Sequence, residues 1–412
     1  MTFRKQTVAF AGAAGLVLSA ATALAQGTTT VACNDTSVLP NAIFMAGSSA
    51  FEPILSQLAV QIKAKRGVSI VYDAISSCLG VSAVSPPADN PTPQPLSGTA
   101  HYYTLDPNDA TKTVTNSCNL SGNTMASIGI SDVAFFSCQN ADRPDNIGEW
   151  DGPEQSMLII VPKANYTTTS ISSQQAAAIW GCGQNSGVGN FTDVTAIQQR
   201  SQTSGTQILI ARNIGVPESA FSGNANSSSG VMVNSLLAVP NAQKAIGFVA
   251  ADYYAGQRSK ISAVAFRGVG QNKAYYADSS AIATDLKNVR DGHYMIQGPL
   301  HFFSPLTAGQ PAPNAKLVLD WLTGAVPIDT ANPNSYVNTV AVGGDVPQCA
   351  MKVKIDKDGG HFSPYHPPVS CNCAFEAAKL IQSAPGTCTT HCASDADCAT
   401  AAGTRCQTGY CE

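Results

Sequence analysis

The sequence predicts an α/β fold. Two observations carry this: short apolar runs of strand length recur along the chain, and segments with apolar residues at helical spacing stand between them. Ala42 to Ala46 is the first run and is expected to be a buried strand. Gly47-Ser48-Ser49 follows it, then a helix in which Phe51, Ile54, Leu55, Leu58, Ala59 and Ile62 fall on one face. Ser49-x-x-Glu52 reads as a capping box at its start. Val68 to Ile75 is the next strand, ending in Ser76-Ser77-Cys78, so a β-α-β unit opens the domain.

Five prolines between Ser85 and Gly98 break the alternation, and a surface excursion is expected there, continuing to Asn119 with at most a short strand at 101–104. Ser127 to Asp132 is a third strand ending in small and acidic residues. Met157 to Val161, closed by Pro162, suits a buried strand, and Gln174 to Trp180 a short helix. Arg200-Ser-Gln-Thr-Ser204-Gly205-Thr206-Gln207 then precedes the apolar run Ile208 to Ala211. Ser204-x-x-Gln207 is a second candidate capping box, with the helix stopping near Gly215 and Pro217. Val231 to Val239 (helix), Ala245 to Val249 (strand), Met295 to Phe303 (strand) and Ala315 to Leu322 (helix) complete the alternation.

The first 25 residues have the pattern of an export signal: Arg4 and Lys5, an apolar run from Thr7 to Leu24, and Ala23-Leu24-Ala25 before the expected cleavage. The remainder is long enough for two lobes and a small module. It keeps 21 basic against 27 acidic residues, a net charge of −6, which argues against a nucleic-acid partner or an anionic membrane surface. Thirteen cysteines in an exported chain imply disulfides, and the odd total leaves at least one outside an internal pair. Eight follow residue 348, and Cys388 to Cys411 places five in 24 residues, as in a small disulfide-stapled module. His361, His366, Cys371, Cys373 and His391 match no zinc spacing, so neither metal nor cofactor is expected.

Chemistry is concentrated in the turns. Ser48-Ser49, Ser76-Ser77 and Ser131-Asp132 close strands, and Arg200 with Ser204 to Thr206 stands at a helix start. Strand ends in open α/β sheets bind ligands. A helix start offers free N–H groups and the positive end of a dipole, while an arginine supplies a planar fork of donors for an oxyanion.

These pieces, in this order, resemble the periplasmic phosphate-binding proteins of ABC-type importers. Ala46 to Pro53 is similar to that family's first ligand loop and helix, Val71 to Ser77 to its second ligand turn, and Ile130-Ser-Asp132 to its Ser-Asp element. Arg200-x-x-x-Ser-Gly-Thr206 matches its arginine and Ser-Gly-Thr loop in spacing. The segments 175–181, 245–249 and 315–322 resemble family core elements. The Ser76 to Gly80 turn departs from the glycine-rich turn of the family.

The resemblance covers about residues 40–345 and implies a two-lobed periplasmic-binding-protein-like fold with two crossing strands at Met157 to Val161 and Met295 to Phe303. Lobe 1 would take about 40–156 and 300–345, lobe 2 about 160–295, with a Pro-rich insertion at about 85–119 and a Cys-rich tail at 346–412. The ligand implied is inorganic phosphate. Ser49 and Ala50, Ser76 or Ser77, Ser204, Gly205 and Thr206 would be donors, Arg200 the counter-charge and Asp132 the acceptor of the ligand's proton. The protein implied is a non-enzymatic, monomeric, exported solute-binding protein with an ABC importer as partner. A surface adhesin or sensor on the same scaffold, attached through the tail, is the second reading, and an exported phosphatase the third.

Overall fold

The computed structural model describes residues 31–87, 92, 94–165, 167–381, 388–398 and 405–412. The export signal expected at 1–25 lies outside these. Among the described residues no helix is long and apolar enough to cross a membrane.

The fold is mixed α/β, built in two lobes on a large sheet. Strand Ile43–Gly47 lies between two parallel neighbours, Ile70–Asp73 and Ile128–Ser131. Such strands are covered on both faces, which is why they read as continuous apolar runs rather than as alternating ones. Helix Glu52–Arg66 makes the crossover between the first two, burying Ile54, Leu55, Leu58, Ala59 and Ile62. It ends at Gly67 in the left-handed conformation (φ 66°), as helices that stop at glycine do. Its predicted capping box does not form. Phe51 is the N-cap, Pro53 sits in the first turn, and the Glu52 carboxylate turns to the neighbouring strand. There it meets His101 Nδ1 at 2.5 Å and accepts from the Tyr103 hydroxyl at 3.0 Å.

That neighbouring strand corrects the second expectation. Residues 99–119 are not an excursion but a hairpin, Thr99–Asp106 with Asp109–Asn119, joined to the sheet through Tyr72 and His101. Past the last proline of the run the sequence turns to Tyr, Thr and Val, which favour strands. The reversal at Asp106 to Asp109 is fixed by Asn108 N–H donating to Asp106 Oδ1 at 2.8 Å. Cys33–Cys118 ties the edge strand Val31–Ala32 to the hairpin.

Two long strands cross between the lobes. Ile147–Pro162 and Gln297–Thr307 pair antiparallel, from Gln297 opposite Ser156 to Pro305 opposite Ile147. The later strand continues the first lobe's sheet through Ile128–Ser131, and the earlier one pairs at its far end with Gly247–Ala250. Both expected crossings fall on these strands. The chain between them forms the second lobe, where Trp180 packs against Phe221 and Phe248 under helices Ser173–Cys182 and Gly205–Ile214. A full capping box does form here, between Ser172 and Gln175.

Glu154, on the first crossing strand, is buried, exchanges backbone hydrogen bonds with Val346 and accepts from Gln348 Nε2 at 3.2 Å. Burial pushes its carboxyl up from 4.5 to about 8. The folded state therefore keeps a proton that the unfolded chain loses above about pH 4.5, so this group's contribution to stability falls as pH rises to about 8 and is level beyond it. Glu154→Gln is expected to flatten thermal stability between pH 5 and 8 and to raise the melting temperature at pH 8 by several degrees. A variant that keeps the wild-type slope in calorimetric scans contradicts this.

The carboxyl-terminal region is held by Cys349–Cys371, Cys373–Cys388, Cys392–Cys406 and Cys398–Cys411. The cysteine-rich run is not self-contained, since Cys388 pairs outward to Cys373. Cys371 and Cys373 are disulfide sulfurs here rather than thiolates, and so are Cys392, Cys398 and Cys406, which cluster within 4.8 Å. Cys78–Cys138 is the second bond of the first lobe, and Cys182 is a free, exposed thiol.

Candidate anion-binding site

The ten-residue helix Gly205–Ile214 begins where both lobes meet. Ser204 is its N-cap in an extended conformation (φ −78°, ψ 120°), but its hydroxyl caps nothing. The predicted box fails because Gln207 has other partners: its Oε1 accepts from Arg200 N–H at 2.8 Å and its Nε2 donates to Glu218 O at 2.9 Å. The N–H groups of Gly205, Thr206 and Gln207 consequently have no acceptor among the described residues. They keep the anion-binding potential of a helix start.

Glycine at 205 is a steric requirement. A Cβ there would lie 2.5 Å from Ser77 Oγ and 2.8 Å from Asp132 Cβ, so only glycine lets the helix start touch the other lobe. Further contacts hold the same seam. Thr206 Oγ1 donates to Asp132 Oδ2 at 3.2 Å, Cys78 N–H to Thr203 O at 3.1 Å, and Ser76 Oγ to Thr203 Oγ1 at 3.1 Å. Arg200 Nη2 reaches Ser49 Oγ at 3.4 Å. Ser49, Ser77, Asp132, Arg200, Gly205 and Thr206 are thus joined by direct contacts across the two lobes.

The remaining predicted residues are more varied. Ser204 is buried beside them, and its hydroxyl makes no cap hydrogen bond among the described residues. Ser76 is buried and already bonded to Thr203. Ser77 Oγ accepts from Asp132 N–H at 3.3 Å. Its helix, Ser77–Val84, replaces the plain turn read from the sequence. Ala50 departs from expectation: its N–H already donates to Ser48 Oγ at 3.1 Å, so this loop has one fewer free N–H donor than expected.

Arg200 is 3 % exposed and is held mainly from the second lobe. Its Nε donates to Asn226 O, Nη1 to Ser229 Oγ and Nη2 to Ser227 O, at 3.1 to 3.2 Å. These partners escaped the sequence reading, which placed no element between Pro217 and Val231. Ser228 as N-cap of helix Ser229–Leu237 is the signal that would have marked them. Burial pulls the guanidinium down to about 10, so it stays charged at neutral pH.

Asp132 is 1 % exposed, and burial raises its carboxyl above the ordinary value, opposed by the Ser48 hydroxyl, Arg200, Thr206 and Ser77. Its Oδ2 accepts from Thr206, while its buried Oδ1 receives no hydrogen bond of normal geometry among the described residues and has the Ser48 hydroxyl beside the carboxylate. A buried unpaired acceptor costs roughly 1–3 kcal/mol, which a ligand donor would recover. Two further buried carboxylates were not foreseen. Asp252 accepts from Gln155 Nε2 at 3.3 Å, and Asp345 lies close enough for the charge of Asp252 to help hold its proton on. Burial raises both well above the carboxylate range, so they add little negative charge against an anion. A cavity of about 670 Å³ opens between Pro53, Gln57, Tyr253 and Asn338; Asp252 lines it, but Ser49, Ser77, Asp132, Arg200, Gly205 and Thr206 do not.

No family model matches the chain, and no curated protein sequence matches it. Solved structures resemble it weakly. One described as a phosphate ABC transporter substrate-binding protein with bound phosphate, from Clostridium perfringens, is 15 % identical over 74 % of this chain and 99 % of its own, with a TM-score of 0.49. An ABC-type phosphate transport receptor from Vibrio cholerae is 14 % identical over 74 % of this chain and 99 % of its own, TM-score 0.44. A phosphate-binding protein from Stenotrophomonas maltophilia is 15 % identical over 74 % and 90 %, TM-score 0.41. At such identities and TM-scores these likenesses carry no argument about ligand or role, which has to rest on the seam between the lobes.

Proposed function

We propose that the protein binds inorganic phosphate between its lobes and releases it unchanged. The observation that carries this reading is Asp132 Oδ1, a buried acceptor that receives no hydrogen bond of normal geometry among the described residues, beside one buried guanidinium and a helix start with free N–H groups. An oxyanion that brings its own proton fits that set: the guanidinium and N–H groups bind its oxygens, and Asp132 accepts its O–H. Phosphate keeps a proton at neutral pH and sulfate does not, so Asp132 would select between them.

In this reading Arg200 supplies the charge, Ser49 and Ser204 hydroxyl donors, and Gly205 and Thr206 the N–H groups. Ser76 and Ala50 shape the loops more than they donate, because the Ser76 hydroxyl and the Ala50 N–H already donate to protein acceptors, whereas Ser77 Oγ only accepts from Asp132 N–H and keeps its O–H as a further donor. Delivery to an ABC importer from an exported, monomeric state is the role such a site suits. Turnover decides between this reading and a phosphatase: incubation with 4-nitrophenyl phosphate is expected to release no nitrophenol, while phosphate raises the melting temperature and sulfate does not. Steady release of nitrophenol would overturn the binding reading.

A further inference from the structure

The segment after Val346 contains a hairpin, Val353–Ile355 paired with Phe362–Pro364, whose tip reaches the seam between the lobes. The tip is a tight turn in which His361 N–H donates to Asp356 Oδ1 at 3.1 Å and Gly360 N–H to Lys357 O at 2.8 Å. From this turn Asp358 Oδ2 accepts the N–H of Ala134 at 2.9 Å. Ala134 lies two residues beyond Asp132, on the same turn of the first lobe. The next tip residue packs on the second lobe. Gly359 has φ +68°, and a Cβ there would be 2.8 Å from Arg212 Cβ, on the helix whose first turn faces Asp132. Adjacent residues of one turn therefore touch both jaws of the site.

The base of the hairpin is fixed elsewhere. Lys354 Nζ pairs with Asp151 on the first crossing strand at 3.2 Å, and Lys352 Nζ with Asp291 at 3.1 Å. Lys352 N–H donates to Arg290 O, Val353 packs on Gly292, and Cys349–Cys371 closes the loop behind it. Each exposed ion pair is worth little alone. Together with the disulfide they give the tip a base on the crossing strand and the second lobe.

We propose that this hairpin is an inter-lobe strap and that Asp358 is a positioning residue, holding the Asp132 turn against helix Gly205–Ile214. Separating the lobes requires breaking the Asp358–Ala134 bond or lifting Gly359 from Arg212. The strap would slow opening and keep Asp132 in place before a ligand arrives. Its effect on phosphate rests on the binding reading above; its effect on lobe opening does not.

Two measurements on the full chain test this with D358A and D358N, the latter keeping an oxygen acceptor for Ala134. The first is amide exchange of the ligand-free protein at 128–136 and 203–212, and the second is phosphate release in stopped flow. D358A is expected to exchange faster in both segments and to release phosphate about 10-fold faster, the size of one lost hydrogen bond. D358N is expected to stay near wild type. G359V, which wedges against Arg212, should loosen the same segments. Wild-type exchange in D358A overturns the strap whatever phosphate does, and a D358N that behaves like D358A overturns the assignment to the Ala134 bond. If the wild type binds no phosphate, the binding reading falls and the exchange arm still decides the strap.

Discussion

Replacing Arg200 with alanine is expected to weaken phosphate binding by at least about 30-fold, because truncating one partner of a buried, hydrogen-bonded charge pair costs about 2–5 kcal/mol. The guanidinium is the cation that reaches across the seam to Ser49, and Asn226, Ser227, Ser229 and Ser49 fix its direction. Arg200→Lys keeps the charge but loses the planar fork, so it should recover only part of the affinity. Titration calorimetry checks both, with the melting temperature reporting any loss of folding in the second lobe. An alanine variant within threefold of wild type would contradict the role given to this residue.

Asp132→Asn should change selectivity more than affinity. Asparagine still offers Thr206 an acceptor, but it presents an amide that can donate to a fully deprotonated oxyanion. Phosphate affinity is expected to fall roughly 10-fold and sulfate to bind measurably, so the preference for phosphate should shrink by about 100-fold, or about 2.7 kcal/mol. The direction of pH dependence follows from the raised carboxyl. As pH falls toward that value, Asp132 gains a proton and can donate, so wild-type sulfate binding should strengthen at acid pH and the asparagine variant should lack that rise. A variant that rejects sulfate as the wild type does would refute the selection argument.

What the sequence revealed and what it hid have a common cause. The parallel strands, the helix at 52–66 and the crossings were legible because fully buried strands and one-sided helices impose their own periodicity. The Arg200 to Thr206 cluster was legible because its residue types suit an anion wherever they fold. Both capping boxes were misread because a cap is a local choice that partners outside the box can outbid. Glu52 found His101 and Tyr103 on a strand about fifty residues away, and Gln207 found Arg200 N–H and Glu218 O.

The hairpin at 99–119 was obscured by the prolines before it, and its pairing with Ile70–Asp73 is a tertiary fact that its composition only permits. Asp358 was beyond reach for the same reason, since the N–H it accepts lies 224 positions earlier. Gly205 shows the opposite case. Its place in the motif was plain, but the reason for a glycine became visible only when Ser77 and Asp132 closed on it.

Isothermal titration of the purified, disulfide-bonded protein with phosphate, arsenate and sulfate tests the central claim most directly. Phosphate and arsenate, which both keep a proton at neutral pH, are expected to bind at one site per chain, and sulfate at the same concentrations to give no heat above dilution. Absence of binding by any of the three, or sulfate binding as tightly as phosphate, would contradict it.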